Sequence, residues 1–266
     1  MIILEQYDEL RPFINDVKHL ILQGDDGTEI AKLVNVPTIS PLYEPLVGML
    51  IRYSPSHYAI GVGRKYVGWL RLFFVLHEVF HIKLKHIDLA GFLDRDGVHG
   101  DFESFRNPLA RYLVVDTEKE TNIYTALSVF DDSILERTGC QQLQEIKNVR
   151  ESLVSLEKTL TSLRYRWSLY KDPLILTQIR KSEYEKQSLE ETLDSLHFML
   201  EDRHSFESVE CIAMEYGVPP ACIQCYLEGK RLLGYNAIPV QTIDWLKIFN
   251  PEKLKRYEHK ECFDAC

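Results

Sequence analysis

An α+β fold is predicted by three features of this 266-residue chain. Residues 1–140 mix short β-rich runs with helical patterns and contain one strongly apolar helix. Residues 141–203 lack glycine and keep 3-4 spacing. Residues 204–266 read as a small helical module.

The elements follow in order. Ile14 to Leu22 has helical spacing, and Gly24-Asp25-Asp26-Gly27 is a turn. A second helix is expected from Thr28 to about Val34. Leu46–Tyr53 and His57–Val62 are apolar or β-rich runs separated by Ser54-Pro55-Ser56, which predicts a strand pair. An apolar helix runs from Trp69 to Leu84. Asp94 to Gly100 is a polar, glycine-containing loop. Asn107-Pro108 marks a helix start with proline in the first turn, and a helix covers Glu118 to Phe130.

The segment 141–203 is expected to be a long antiparallel helical hairpin. Leu153, Leu156, Leu160, Leu163, Trp167 and Tyr170 form one apolar seam. Ile175, Ile179, Leu189, Leu193, Leu196 and Leu200 continue it, with Ser182 and Lys186 at two seam positions. Asp172 is placed to cap a new helix that begins at Pro173. Each arm would span about 45 Å at 1.5 Å per residue. Such an arm can reach a partner or a second copy of the chain, or it can be a rigid insertion without a specific role.

In the last segment, Phe206 to Tyr216 is amphipathic, Gly217 ends it, and Pro219-Pro220 begins another helix. This is the outline of a helix-turn-helix. The second helix offers Cys222, Gln224, Glu228, Lys230 and Arg231, which is not a basic face. The net charge of −9 likewise argues against polyanion binding. Packing against the first domain, or protein recognition, is the reading we favour.

His77-Glu78-Val79-Phe80-His81 lies inside the apolar helix. Residues four apart share a helix face, so both imidazoles can grip one metal ion. Buried imidazoles and a carboxylate need partners, and a zinc ion satisfies them together. Glu78 is placed to take a proton from a metal-activated water.

A catalytic zinc takes three protein ligands, so a third is required. His86 is five residues past His81, which turns it about 140° away on a continuous helix. His99 falls in the polar loop. Two carboxylates are better placed. Glu118 and Asn122 have the Glu-x-x-x-Asp spacing of a second zinc helix, in which the Asp supports a histidine ligand. Glu120 is the alternative third ligand, although Thr117 and Glu120 also match a capping box.

Three stretches carry a family resemblance. The first is His77 to His81 after an apolar helical segment. The second is Glu118-Lys119-Glu120-Thr121-Asn122-Ile123-Tyr124-Thr125. The third is Cys211-Ile212-Ala213-Met214-Glu215-Tyr216-Gly217-Val218-Pro219-Pro220-Ala221. In these stretches and their order the chain resembles the ImmA/IrrE group of metallopeptidases, over about residues 45–130 and 205–235. It departs in having Leu127-Ser128-Val129-Phe130 where that group has Leu-Leu-Met-Pro, and in the hairpin between box and module.

The resemblance implies a zincin-like metallopeptidase domain. It also implies an endopeptidase acting on a specific regulatory protein, such as a helix-turn-helix repressor of a mobile element or a stress response. Zinc held by His77, His81 and Glu118 would bring its water toward pKa 7, and Glu78 would move the proton during attack on a peptide carbonyl. The strand near His57–Val62 could pair with an extended substrate. The sequence does not single out a residue for the oxyanion; Tyr66, Tyr112 and His99 are nearby polar groups. The alternative is a non-catalytic zinc-containing interaction module acting through the hairpin and the C-terminal helices.

Cys222 and Cys225, with Cys262 and Cys266, have spacings that could hold a second zinc or could be ordinary packing. The N-terminus lacks the features of a signal peptide, and no apolar run reaches about 18 residues, so no membrane span is expected. With reduced cysteines, these features place the protein in the cytoplasm.

Overall fold

A computed structural model describes residues 2–43, 47–54, 56–86, 108–201, 206–239, 242–245, 248 and 254–255. The protein is α+β and divides into two compact units. One comprises the described residues of Met1–Asp131, Ser208–Gly234 and Val240–Cys266; the other comprises Asp132–Glu207 and Tyr235–Pro239. The first unit therefore takes in the helix-turn-helix segment that the sequence suggested as a third domain. The second begins at 132 rather than 141.

The first unit opens with helix α1 (Ile2–Leu22), twelve residues longer at its start than the sequence suggested. Pro12 lies inside it. Leu10, Phe13, Ile14 and Val17 are buried along one face across the proline, so tertiary packing holds the helix together through it. Helix α2 (Thr28–Lys32) follows. Asp25 caps it, accepting from the N–H groups of Glu29 and Ile30 at 3.0 Å each.

The sheet has three strands, β1 (Ile39–Leu42), β2 (Gly48–Ser54) and β3 (His57–Gly63), in the order β1-β3-β2. β2 and β3 are the expected antiparallel pair, with Leu50 opposite Ile60. β1 runs parallel to β3 and places Pro41 beside Val62. A proline is tolerated there because β1 is an edge strand. The same topology corrects one expectation. β3 (His57–Gly63) is paired on both sides, so it has no free edge for an extended substrate; among the described residues the free edges belong to β1 and β2.

Helix α3 (Gly68–Lys83) carries the His-Glu-x-x-His sequence and is apolar almost all round, with Leu70, Leu72 to Leu76, Val79 and Phe80 buried. Such a helix must be covered on several sides. It packs on β2 and β3, on α2, and on α4 (Pro108–Val129). α4 is continuous from Pro108, so Thr117 is inside a helix and the Thr117–Glu120 capping box does not exist.

Helices α8 (Val209–Glu215) and α9 (Pro220–Leu232) complete this unit. α8 starts later than Phe206. Ser208 caps it, its hydroxyl accepting from the Cys211 N–H at 3.2 Å. Gly217 turns the chain at φ 63°. α9 packs on α4, where Gly229 leaves room for Leu127 and Ile123. The helix-turn-helix outline is present, but α9 is a core element. Cys222 and Cys225 are fully buried on it, and burial pushes both thiols up. Cys262 and Cys266 lie outside the described residues.

The second unit is the predicted hairpin. Short helix α5 (Ser133–Arg137) precedes α6 (Cys140–Tyr170) and α7 (Pro173–Glu201). Lys171 takes the left-handed conformation at φ 52°, and Asp172 Oδ1 accepts from the Leu174 N–H at 2.9 Å. Leu160, Leu163, Ile175 and Ile179 form its core, with Leu156 and Trp167 against them. Tyr170 is not part of the seam; it is 70% exposed. Arg164–Glu183 and Lys186–Glu157 pair across the two helices at 2.8 Å each. Lys186 thus keeps its charge at a seam position by meeting a carboxylate from the facing helix. Among the described residues no helix is long and apolar enough to cross a membrane.

Replacing 141–203 with a short Gly/Ser linker should leave metal binding intact, because His77, His81 and Glu118 all lie in the first unit. Metal analysis of the purified deletion checks this. Loss of metal or of soluble expression would show that the first unit needs the hairpin to fold.

Candidate metal centre

Helices α3 and α4 build the site between them. Phe73 meets the ring of Phe130, just past the end of α4, at 6.3 Å, and Phe80 stacks on Tyr124 at 5.8 Å. Farther along the same pair of helices, Glu118 of α4 meets both His77 and His81 of α3. Phe73, Phe80, Phe130 and Tyr124 are fully buried, so the polar groups beyond them are held on a rigid base.

His77 and His81 are one turn apart, and their Nε2 atoms lie 3.1 Å from each other. Glu118 spans both, with Oε2 at 3.3 Å from His77 Nε2 and Oε1 at 3.4 Å from His81 Nε2. A tetrahedral ion with ligand bonds near 2.0–2.1 Å would set its donors about 3.3–3.5 Å apart. Each imidazole faces a different oxygen of Glu118, and one donor atom from each of the three side chains lies within 4.8 Å of the other two, close enough for an ion to draw them together. Among the described residues this is the one group of at least three such side chains able to hold a metal ion.

Electrostatics agree with that reading. Burial alone would raise the Glu118 carboxyl, but the two imidazoles outweigh it and hold the group well below its usual range. It is therefore an anion, as a ligand must be. Glu78 is the opposite case. Loss of solvation lifts its carboxyl to about 7; His81 pulls it down and Glu118 pushes it up. One carboxyl thus stays ionised between the imidazoles, while the other is lifted to about 7.

Gly48, the first residue of β2, lies directly over Glu78. A Cβ there would come 2.8 Å from Glu78 Oε1. The carboxylate occupies space that only a glycine leaves open.

The remaining candidates sort differently. Glu120 lies outside the His77–His81–Glu118 group; its Oε2 is 3.2 Å from His86 Nε2. Asn122 makes no hydrogen bond to a histidine. Its amide donates to the Glu118 carbonyl at 2.7 Å, and its Oδ1 is buried with no hydrogen-bond partner. The side chain beside His81 is Thr121, with Oγ1 at 3.4 Å from His81 Nδ1. Tyr66 is a core residue, edge-on to Phe74 at 4.9 Å. His99 and the Tyr112 side chain lie outside what the structure describes.

His86 is the residue the sequence argument passed over. The 140° rotation assumed that α3 continues. It ends at Lys83, and Lys85 takes φ 60°, which swings the chain back. His86 Nδ1 then lies 3.1 Å from His81 Nδ1. Burial pushes the His86 imidazole below its ordinary value, against the raising effect of its bond to Glu120. Three histidines within ten residues, with two glutamates two apart on the next helix, were the available signal.

No family model matches the chain, and neither a curated protein nor a solved structure matches it.

Proposed function

We propose that this protein is a zinc-dependent endopeptidase of the ImmA/IrrE kind, with a zincin-like catalytic unit, that cuts a specific regulatory protein. The observation that carries the reading is the pairing of a three-donor His77–His81–Glu118 group with Glu78, whose carboxyl is lifted to about 7 beside it. A centre that only stabilised the fold would have no use for a base at its edge. Zinc would supply Lewis acidity there, activating water and a peptide carbonyl.

The chain's own groups do the rest. His77, His81 and Glu118 hold the ion. Glu78 accepts a proton from the attacking water and returns it to the leaving nitrogen, and a carboxyl near 7 suits both transfers. Among the described residues β2 has a free edge that begins at Gly48, above Glu78, so an extended segment added along β2 would bring its backbone toward that carboxylate. An extended protein segment is thus the favoured substrate class, and a repressor encoded beside the gene is the first candidate.

Co-expression with that repressor, read by mass spectrometry, tests the reading. Defined fragments are expected. An uncut repressor that co-purifies with the chain would favour the non-catalytic interaction module.

Gly48→Ala gives a sharper test of the geometry. The new methyl meets the flexible end of Glu78 rather than backbone, so the fold and the metal content should change little. Displacing a catalytic group by roughly 1 Å can cost about 100-fold in rate. Cleavage should therefore fall by about 10- to 100-fold in kcat. Unchanged cleavage in Gly48→Ala would mean that Glu78 does not act from this position.

A further inference from the structure

We propose that His86 and Glu120 are positioning residues for the metal centre: Glu120 orients His86, and His86 orients His81 so that His81 Nε2 is left bare for the ion. The inference rests on reading His77, His81 and Glu118 as metal ligands.

The chain of contacts is continuous. Glu120 Oε2 lies 3.2 Å from His86 Nε2, and His86 Nδ1 lies 3.1 Å from His81 Nδ1. On the far side of His81, Nε2 faces His77 and Glu118. With both imidazoles neutral, one proton arrangement satisfies every link. The Glu120 carboxylate can only accept, so His86 donates from Nε2 and keeps a lone pair on Nδ1. His81 must then donate from Nδ1, which leaves its Nε2 lone pair for a cation. Thr121 Oγ1, at 3.1 Å from His86 Nδ1 and 3.4 Å from His81 Nδ1, closes the remaining side.

Burial makes the arrangement specific. His86 is 7% exposed and Thr121 is fully buried. Glu120 Oε1 is buried with no hydrogen-bond partner among the described residues, and Oε2 meets His86. The left-handed turn at Lys85 is a conformation a lysine adopts at some cost, and its effect is to carry His86 back to His81. Histidine ligands are commonly fixed by a carboxylate or carbonyl on the second nitrogen. Here a second imidazole stands between ligand and carboxylate.

The test is zinc affinity, measured by competition with a chromophoric chelator on the whole chain. It compares wild type, His86→Ala, Glu120→Ala and Glu120→Gln. Unfolding of each metal-free protein and the visible spectrum of each cobalt-loaded protein are recorded beside it. Each variant should still bind one ion per chain. His86→Ala and Glu120→Ala should lose about 10- to 100-fold in affinity, with an altered cobalt spectrum. Glu120→Gln should fall between them and wild type, because its amide oxygen still accepts from His86 but carries no charge. Wild-type affinity and spectrum in all three variants would overturn the proposal while leaving the metal centre standing. So would a loss of affinity that tracks metal-free stability with an unchanged cobalt spectrum, since His86 and Glu120 would then only brace the fold. A wild type that binds no zinc would overturn the metal reading itself, and this proposal with it.

Discussion

Glu78→Gln should bind zinc like the wild type and cut its target about 10²- to 10⁴-fold more slowly. Gln keeps the size of the side chain, so it fits beneath Gly48 as Glu78 does. It cannot take up a proton at neutral pH. The ordinary value for a lost general base sets the range. The measurement is fragment yield against time, at equal metal content, for the two proteins. Undiminished cleavage in Glu78→Gln would reject the role.

The second large effect is on stability. His77, His81 and Glu118 crowd their donor atoms within 4.8 Å of one another. An ion at about 1,000 times its dissociation constant would add roughly 4 kcal/mol to the folded state. For a chain of this size that is roughly 8–16 °C in melting temperature. Chelation should lower the wild-type melting temperature by an amount of this order. The same treatment should barely move Glu118→Ala, which has no ligand set left to strip. Equal shifts in the two proteins would mean that the chelator acts elsewhere.

Much of this site was legible because it is written in helical periodicity. His77 and His81 are four residues apart in an apolar run, and such a spacing has one physical reading. Glu118 was suggested by its Glu-x-x-x-Asn spacing, with Glu120 left as the alternative. The hairpin was legible for the same reason, down to the Asp172 cap. What escaped lay where tertiary packing overrides local chemistry. Pro12 should end a helix, but Leu10, Phe13, Ile14 and Val17 bury one continuous face across it. Pro41 hid β1, because its partner β3 lies about twenty residues on and edge position is not visible in a sequence. His86 escaped because the turn at Lys85 is made by a lysine with positive φ, where glycine would have announced it. Asn122 had the spacing of a supporting residue, yet its amide turned to its own helix, and Thr121 came to lie beside His81 instead.

Elemental metal analysis of the purified chain, beside His77→Ala and Glu118→Ala, bears most directly on the centre from which the rest follows. Close to one zinc per wild-type chain is expected, with little or none in either variant while both keep the circular dichroism of the folded protein. Full zinc in both variants would place the ion elsewhere and contradict the assignment of His77, His81 and Glu118.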